Sequence, residues 1–265
     1  MPSLAANLSL LYPELPFLDR FAAAARSGFR AVEFQFPYAF DVADIAQRLK
    51  EHRLQLVLHN LPAGDWAAGE RGIACHPERV DEFRAGVQQA LAYARVLGTP
   101  RLNCLAGVLP SGVSQEAAQA TLVANLRHAA TALQAAGIEL LVEFINTFDI
   151  PGFFVHRTDQ ALALLDEVAH PNLKLQYDLY HAQRMEGNLV HTLRQHLPRI
   201  GHIQLADSPD RHEPGTGEIN FHFVLQELDR LGYAGHVGCE YFPADAGLGG
   251  TDAGLAWVPA HGLGF

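Results

Sequence analysis

Four polar side chains follow short apolar runs in the second half of the chain, at a similar place in each run. They are Glu143, Asp178, Gln204 and Glu240, and successive members lie about one strand plus one helix apart. If these runs are parallel strands of a barrel, their carboxyl ends surround one site and the four side chains converge there. Three carboxylates in such a site would repel one another, because like charges in a partly dry volume do not all ionise cheaply.

A bound cation would relieve that repulsion. Carboxylate and amide oxygens suit a hard ion, so the set favours Mg²⁺ or Mn²⁺ over zinc, which prefers histidine and cysteine. The alternative is a solvated rim of carboxylates that cap the helices after the strands. One strand-end acid would mean little, whereas three acids and an amide on successive strands favour the metal site.

Other polar residues with catalytic chemistry lie near the ends of the same runs. They are His59 and Asn60 after the third run, His181 in the turn after the sixth, and Arg211 in the loop after the seventh. A histidine can bind a substrate oxygen or shuttle a proton near neutral pH. Arg211 could form a bidentate pair with a substrate carboxylate. A surface histidine in a turn and a solvent-exposed loop arginine are the alternatives.

Eight strand candidates alternate with amphipathic helices along the 265 residues. This alternation predicts an α/β fold, a single-domain (β/α)8 TIM barrel over residues 1–265, with a doubly wound open sheet as the runner-up. No Gly-x-Gly-x-x-Gly follows the first strand, which counts against a dinucleotide-binding sheet. Four helices are predicted to end at a glycine just before the next strand, at Gly28, Gly98, Gly137 and Gly232. The predicted strands lie near 4–9, 31–36, 54–59, 101–105, 139–143, 173–178, 201–205 and 237–241.

The connections carry fewer signals. Residues 60–76 are predicted to form a long loop at the site end of the barrel. The Gly- and Ala-rich residues 243–265 are predicted to be a C-terminal surface tail. The Gly-x-Gly of loop 209–220 lacks the lysine of a nucleotide-binding loop, so it indicates a tight turn before a helix capped by Asn220. Ser114 and Thr158 are predicted to cap two other helices.

Composition limits the partners. A net charge of −10 and a pI near 5.7 argue against nucleic acid, whose phosphates need concentrated lysine and arginine. The cysteines Cys75, Cys104 and Cys239 are far apart and odd in number, which indicates reduced thiols rather than a disulfide framework or zinc site. There is no signal-peptide pattern, and no run approaches the roughly 18 apolar residues of a membrane helix. We therefore expect a cytoplasmic protein with no membrane partner.

Several segments resemble the hydroxypyruvate isomerase family, including the 2-oxo-tetronate isomerases, of the xylose-isomerase-like TIM-barrel superfamily. The resemblance runs nearly from end to end, and its last three segments are the most specific. The segments are Ala5–Ser9, Ala31–Phe34 with Pro37-Tyr38, Leu141–Glu143, Asp178–Gln183, Pro209–Asn220 and Gly238–Tyr241.

The resemblance implies a divalent metal held by the four strand-end residues, with Glu143 and Glu240 as an acid/base pair. It places His181 and Arg211 near the substrate, where we also expect His59 and Asn60. Related sugar epimerases have histidine at the position of Gln204, and the hydroxypyruvate isomerase branch has glutamine. An amide oxygen is uncharged and binds a cation more weakly than a carboxylate does.

The implied reaction is isomerisation of a short 2-oxo hydroxy acid through an enediolate, such as hydroxypyruvate to tartronate semialdehyde, or of 2-oxo-tetronate. The expected partner is this small sugar acid, and a homo-oligomer is left open. Three alternatives stand beside it. They are C3 epimerisation of a ketose by the same glutamates, a non-catalytic sugar-binding barrel, and an endonuclease-like barrel, which the charge disfavours.

Overall fold

The computed structural model describes residues 2–261. Within this range eight parallel strands close into a barrel in the order β1 to β8, with a helix after each strand. The predicted (β/α)8 fold is therefore confirmed, and the open doubly wound sheet is wrong. The strands are β1 (Ser3–Asn7), β2 (Ala31–Glu33), β3 (Gln55–Asn60), β4 (Arg101–Leu105), β5 (Glu139–Glu143), β6 (Leu173–Asp178), β7 (Ile200–Leu205) and β8 (His236–Cys239).

The helices surround the strands and bury one face each. Short 3-10 turns precede α3 and β7. The helices are α1 (Phe17–Arg26), α2 (Val42–His52), α3 (Val80–Leu97), α4 (Gln115–Gln134), α5 (Thr158–Val168), α6 (Leu179–Met185), α7 (Leu189–His196), α8 (Phe221–Arg230), α9 (Gly250–Gly254) and α10 (Trp257–Ala260).

Local signals at the helix ends explain most of these boundaries. All four glycines predicted to end helices have positive φ angles, between 69° and 106°, which residues with a Cβ rarely adopt. Ser114 and Asn220 cap α4 and α8 as predicted, each accepting a hydrogen bond from a backbone N–H in the first turn. The prediction for Thr158 is wrong by one residue, because Arg157 occupies the N-cap position and Thr158 is the first residue of α5.

The closed barrel brings the two ends of the strand order together. Strand β1 pairs with β2 on one side, where Asn7 faces Glu33, and with β8 on the other, where Ala5 faces Gly238. All six residues of β7 are buried. The C-terminal ends of β1, β2, β7 and β8 therefore adjoin one another.

The chain divides into two compact units, one formed by residues 58–176 and the other by the residues before and after that segment. The single-domain organisation stays a prediction. Part of the predicted surface tail is built into the fold, since α9 and α10 bury Thr251, Trp257 and Val258. The Thr251 hydroxyl accepts a hydrogen bond from the backbone N–H of Tyr12. Residues 262–265 of the tail lie outside the described residues.

Two expectations about the chain as a whole can be compared with the described residues. The three cysteines are buried and free, and burial raises the pKa of the Cys75 thiol to about 12. Such thiols are poorly reactive, as expected for core residues. Among residues 2–261, none of the helices combines the length and apolar character needed to cross a membrane.

Two site-end loops approach each other so closely that only glycine fits. Gly72, in the loop after β3, has a φ of 116°, and a Cβ there would lie 2.6 Å from the Leu105 carbonyl oxygen. Gly107, in the loop after β4, has a φ of 100°, and its Cβ would collide with the Gly72 carbonyl oxygen. These glycines join the two loops backbone to backbone.

We predict that Gly107→Ala lowers the free energy of unfolding by about 3 kcal/mol, from a strained φ angle plus steric overlap. Gly98→Ala is the matched control, because Gly98 has a φ of 69° but nothing within 4 Å of its Cβ position. It should cost about 1 kcal/mol. Urea denaturation measures both, and equal losses would contradict a close approach of the loops.

Candidate active site

The four strand-end residues are all buried. Glu143 and Asp178 are the last residues of β5 and β6, Gln204 is the penultimate residue of β7, and Glu240 directly follows β8. Their exposed fractions are between 0 and 4 %. The alternative of a carboxylate rim exposed to solvent is therefore wrong. Its helix-capping part holds for Asp178, which accepts a hydrogen bond from the Tyr180 N–H at the start of α6.

One guanidinium lies beside two of the carboxylates. Arg211 Nη2 is 3.6 Å from Asp178 Oδ2 and 3.5 Å from Glu240 Oε2, and its guanidinium carbon lies 5.2 Å from the centre of the Tyr180 ring. The Arg211 side chain is only 18 % exposed, so the alternative of a solvent-exposed loop arginine is wrong. Its single positive charge faces two buried acids.

The environment of Glu240 disfavours its charged form. Burial raises the pKa of Glu240 to about 8, with Arg211 opposing the rise and the charges of Asp178 and Glu33 adding to it. The Gln35 amide donates a hydrogen bond of 2.7 Å to Glu240 Oε1. Burial is the main cause of this rise, so an added cation beside Glu240 would favour the ionised carboxylate.

His181 lies beside one of these acids, Asp178. Its Nε2 lies 3.6 Å from Asp178 Oδ2, and the residue is only 2 % exposed. Burial, followed by the charges of Arg211 and Arg184, lowers the pKa of His181 well below its usual value. His181 is therefore a neutral imidazole near pH 7, able to donate from one nitrogen and accept at the other.

Gln204 belongs to a buried network that the sequence did not predict. Its Nε2 donates to Glu33 Oε1 over 2.7 Å, and Glu33 also accepts from Asn7 and His202. Glu33 ends β2 and is fully buried. Glu33 lies in the Ala31–Phe34 segment, for which the sequence analysis predicts no functional residue. It does, however, share the pattern of the last four strands, a polar side chain at the strand end, and that pattern identifies it.

Glu143 lies in the unit formed by residues 58–176. Its Oε2 accepts a hydrogen bond of 2.8 Å from Asn103 Nδ2 on β4, another buried residue that the sequence did not single out. The predicted metal set, which joins Glu143 to Asp178, Gln204 and Glu240, stays a prediction.

His59 and Asn60 end β3 as predicted and are buried, with exposed fractions of 0 and 7 %. His59 Nδ1 lies 3.2 Å from the Asn60 carbonyl oxygen. Burial lowers the pKa of His59 to about 4, so His59 is neutral under ordinary conditions. Their proposed contact with substrate stays a prediction.

The loop after β7, which carries Arg211, is organised around Asp207. The Asp207 carboxylate accepts four backbone hydrogen bonds of 2.9 to 3.0 Å, from the N–H groups of Ser208, Gly215, Gly217 and Ile219. The Asp207 carbonyl oxygen accepts the Arg211 N–H at 3.0 Å. No sequence pattern singles out Asp207, because its partners are backbone groups that only the folded loop brings together.

Comparisons with known proteins agree with this architecture. A family profile described as "Xylose isomerase-like TIM barrel" matches residues 21–261. The hydroxypyruvate isomerase of Escherichia coli (strain K12) is 54 % identical, over 97 % of this chain and 98 % of its own. The 2-oxo-tetronate isomerase of Cupriavidus necator is 47 % identical, over 98 % and 99 %. A crystal structure from Brucella melitensis named AP endonuclease, family 2, has 45 % identity, covers 98 % and 99 %, and superposes with a TM-score of 0.94.

We predict that Asp207→Asn loosens the loop that carries Arg211. The amide presents a donor to two backbone N–H groups that now face a carboxylate oxygen, so those hydrogen bonds are lost. The NH₂ group can replace either oxygen, so one of the two pairs, Gly215 with Gly217 or Ser208 with Ile219, loses its acceptor. Amide hydrogen exchange in that pair should accelerate at least about tenfold, equivalent to roughly 1.4 kcal/mol of local stability. Asp245→Asn is the control, because Asp245 accepts one backbone bond in an exposed loop. Unchanged exchange in Asp207→Asn would contradict this role.

Proposed function

Because the chain belongs to the xylose isomerase-like TIM-barrel family and, within it, to the hydroxypyruvate isomerases, we propose that it interconverts a short 2-oxo hydroxy acid and its aldehyde isomer. The chain is an enzyme, an isomerase of the aldose–ketose type. Our candidate reactions are hydroxypyruvate to tartronate semialdehyde and the corresponding step on 2-oxo-tetronate. The observation that carries the proposal is the set of buried acids that shares one arginine, Arg211.

The acids fit a divalent cation, for which we propose Mg²⁺ or Mn²⁺. Glu143, Asp178, Gln204 and Glu240 would hold it, and His181 is a further candidate ligand because its Nε2 lies 3.6 Å from Asp178 Oδ2. Oxygen donors predominate in this set, which suits a hard ion. When bound, the ion would stabilise negative charge on the substrate oxygens as the enediolate forms.

The two glutamates would carry the proton transfers. One removes a proton from the hydroxyl-bearing carbon next to the substrate carbonyl, and the other delivers a proton to the carbonyl carbon. The hydroxyl proton of the substrate passes to the former carbonyl oxygen, which completes the exchange of the two groups. This division of work needs two carboxyl groups in different protonation states at the start. Glu143, fixed by Asn103, and Glu240, fixed by Gln35, are held by different neighbours, which makes unequal protonation attainable.

The remaining polar groups would bind the substrate. Arg211 has the fork of N–H donors that matches a carboxylate, and a 2-oxo acid carries one at the carbon beside its carbonyl. His181, as a neutral imidazole, could hydrogen-bond a hydroxyl or carbonyl oxygen. His59 and Asn60 are proposed as further contacts. Hydroxypyruvate and 2-oxo-tetronate differ in the length of their carbon chains. Turnover of the two, assayed side by side with and without a chelator, shows which is the better substrate and whether the reaction needs the metal.

Other functions are less well supported. A ketose C3-epimerase would use the same glutamates, but it gives no use for a carboxylate-binding Arg211. The similar structure from Brucella melitensis carries the name of an endonuclease, so DNA cleavage is a further alternative. The net charge of −10 counts against it, because DNA binding needs positive charge. The proposed ligands also include a single histidine, His181, whereas a zinc site of several histidines would be expected for such a nuclease. A non-catalytic sugar-binding barrel would bind substrate without turning it over.

We predict that Glu143→Gln and Glu240→Gln each lower kcat for hydroxypyruvate isomerisation by about 10²- to 10⁴-fold, the usual contribution of a general acid or base. Glutamine keeps the size of the side chain but cannot exchange protons. Turnover is measured with saturating Mg²⁺ or Mn²⁺, alongside D-fructose as the epimerase substrate.

Glu227→Gln is the matched control, because Glu227 is a buried glutamate on α8, paired with Arg194 and Arg230. It should keep the parent kcat. Near-parent turnover in either site variant would overturn the assignment of the pair. Activity on the ketose but not on the 2-oxo acids would favour the epimerase.

A further inference from the structure

Glu33 is a buried acid outside the set of predicted ligands. It ends β2 with an exposed fraction of 0 %. A carboxylate taken out of water is costly unless hydrogen bonds or charges compensate it. Glu33 is compensated within the barrel, which points to a defined role for this charge rather than an incidental one.

Three side-chain N–H donors converge on Glu33. Asn7 Nδ2 and Gln204 Nε2 donate to Oε1 over 2.9 and 2.7 Å, and His202 Nε2 approaches Oε2 at 2.6 Å. The donors come from β1 and β7, the strands whose ends adjoin β2 and β8. Gly238 on β8 provides the space, since a Cβ there would collide with both carboxylate oxygens of Glu33.

This geometry determines which end of the Gln204 amide faces Glu33. A carboxylate accepts hydrogen bonds and does not donate them, so the NH₂ end must face it. The two ends of an amide have nearly the same size and shape, so packing alone would not distinguish them. With Nε2 held on Glu33, the Gln204 oxygen is the end directed away from Glu33.

We propose that Glu33 is a positioning residue, which holds the Gln204 amide so that its oxygen rather than its nitrogen is offered to the cation. The inference rests on the proposed function, in which Gln204 is a ligand. An amide nitrogen has no lone pair to give a cation, so a flipped Gln204 would be no ligand at all. Glu33 thus makes an uncharged side chain a usable ligand, and Asn7 and His202 keep Glu33 in place.

The test is a double-mutant cycle on Mn²⁺ affinity, measured by calorimetry without substrate. Glu33→Gln can donate as well as accept, so it no longer selects one amide orientation. We expect it to weaken Mn²⁺ binding about tenfold, the effect of one hydrogen bond to a charged group. In a Gln204→Met background, where no amide needs orienting, the same change should weaken binding less than about threefold. A charge effect or general loosening would act in both backgrounds alike.

Two further variants keep the test decisive. Glu33→Asp retains the charge but shortens the side chain, so it should reproduce the Gln204-dependent loss even if Glu33→Gln folds poorly. His202→Gln keeps an N–H donor for Glu33 and should retain Mn²⁺ affinity within about threefold. Thermal unfolding in the absence of metal reports whether each variant is folded.

The outcomes separate the two proposals. If the parent protein binds Mn²⁺ but Glu33→Gln and Glu33→Asp weaken binding equally in both backgrounds, the positioning role is wrong and the proposed metal site stands. If the parent protein binds no Mn²⁺, both the metal site and the positioning role are wrong.

Discussion

Burial of negative charge at the carboxyl end of the barrel is the constraint on which the site depends. Glu33, Asp178 and Glu240 are each at most 4 % exposed, and each buried carboxylate needs donors or positive charge around it. Glu33 receives three N–H donors, Asp178 caps α6, and Glu240 is held by Gln35. These requirements explain why polar residues occupy strand positions that otherwise would be apolar.

The compensation is incomplete in one place. Asp178 and Glu240 share the single guanidinium of Arg211, which cannot neutralise both carboxylates when both are ionised. Burial raises the pKa of Glu240, and the charges of Asp178 and Glu33 add to the rise, so a bound cation would favour the ionised carboxylate. The loop built on Asp207 holds the backbone of Arg211, which connects the loop after β7 to the charge balance of the site.

The positions of the strands and of the four strand-end residues could be predicted because they depend on local patterns. Apolar runs, glycines at helix ends and the polar residue after each run are all visible within a few residues. The first residue of a helix is harder to predict, because it depends on the geometry of the preceding turn. The predicted N-cap at Thr158 is therefore off by one residue. The doubly wound sheet shares the same local pattern and is excluded only by the pairing of β1 with β8.

The parts of the site that the sequence did not predict depend on contacts between distant residues. Glu33 gains its role from Asn7, His202 and Gln204, and from the absence of a side chain at Gly238. Asp207 gains its role from backbone N–H groups up to twelve residues away. None of these relations is encoded in spacing along one element.

The central claim is that buried glutamates move protons by way of an enediolate, and isomerisation of hydroxypyruvate in D₂O tests it most directly. Two carboxyl groups that exchange with solvent should place deuterium on the carbon that gains hydrogen, and NMR of the tartronate semialdehyde formed would detect it. The account predicts solvent deuterium at that carbon in most product molecules. A product that carries only hydrogen transferred from the substrate would contradict it, because the hydrogen would then have moved directly between the two carbons.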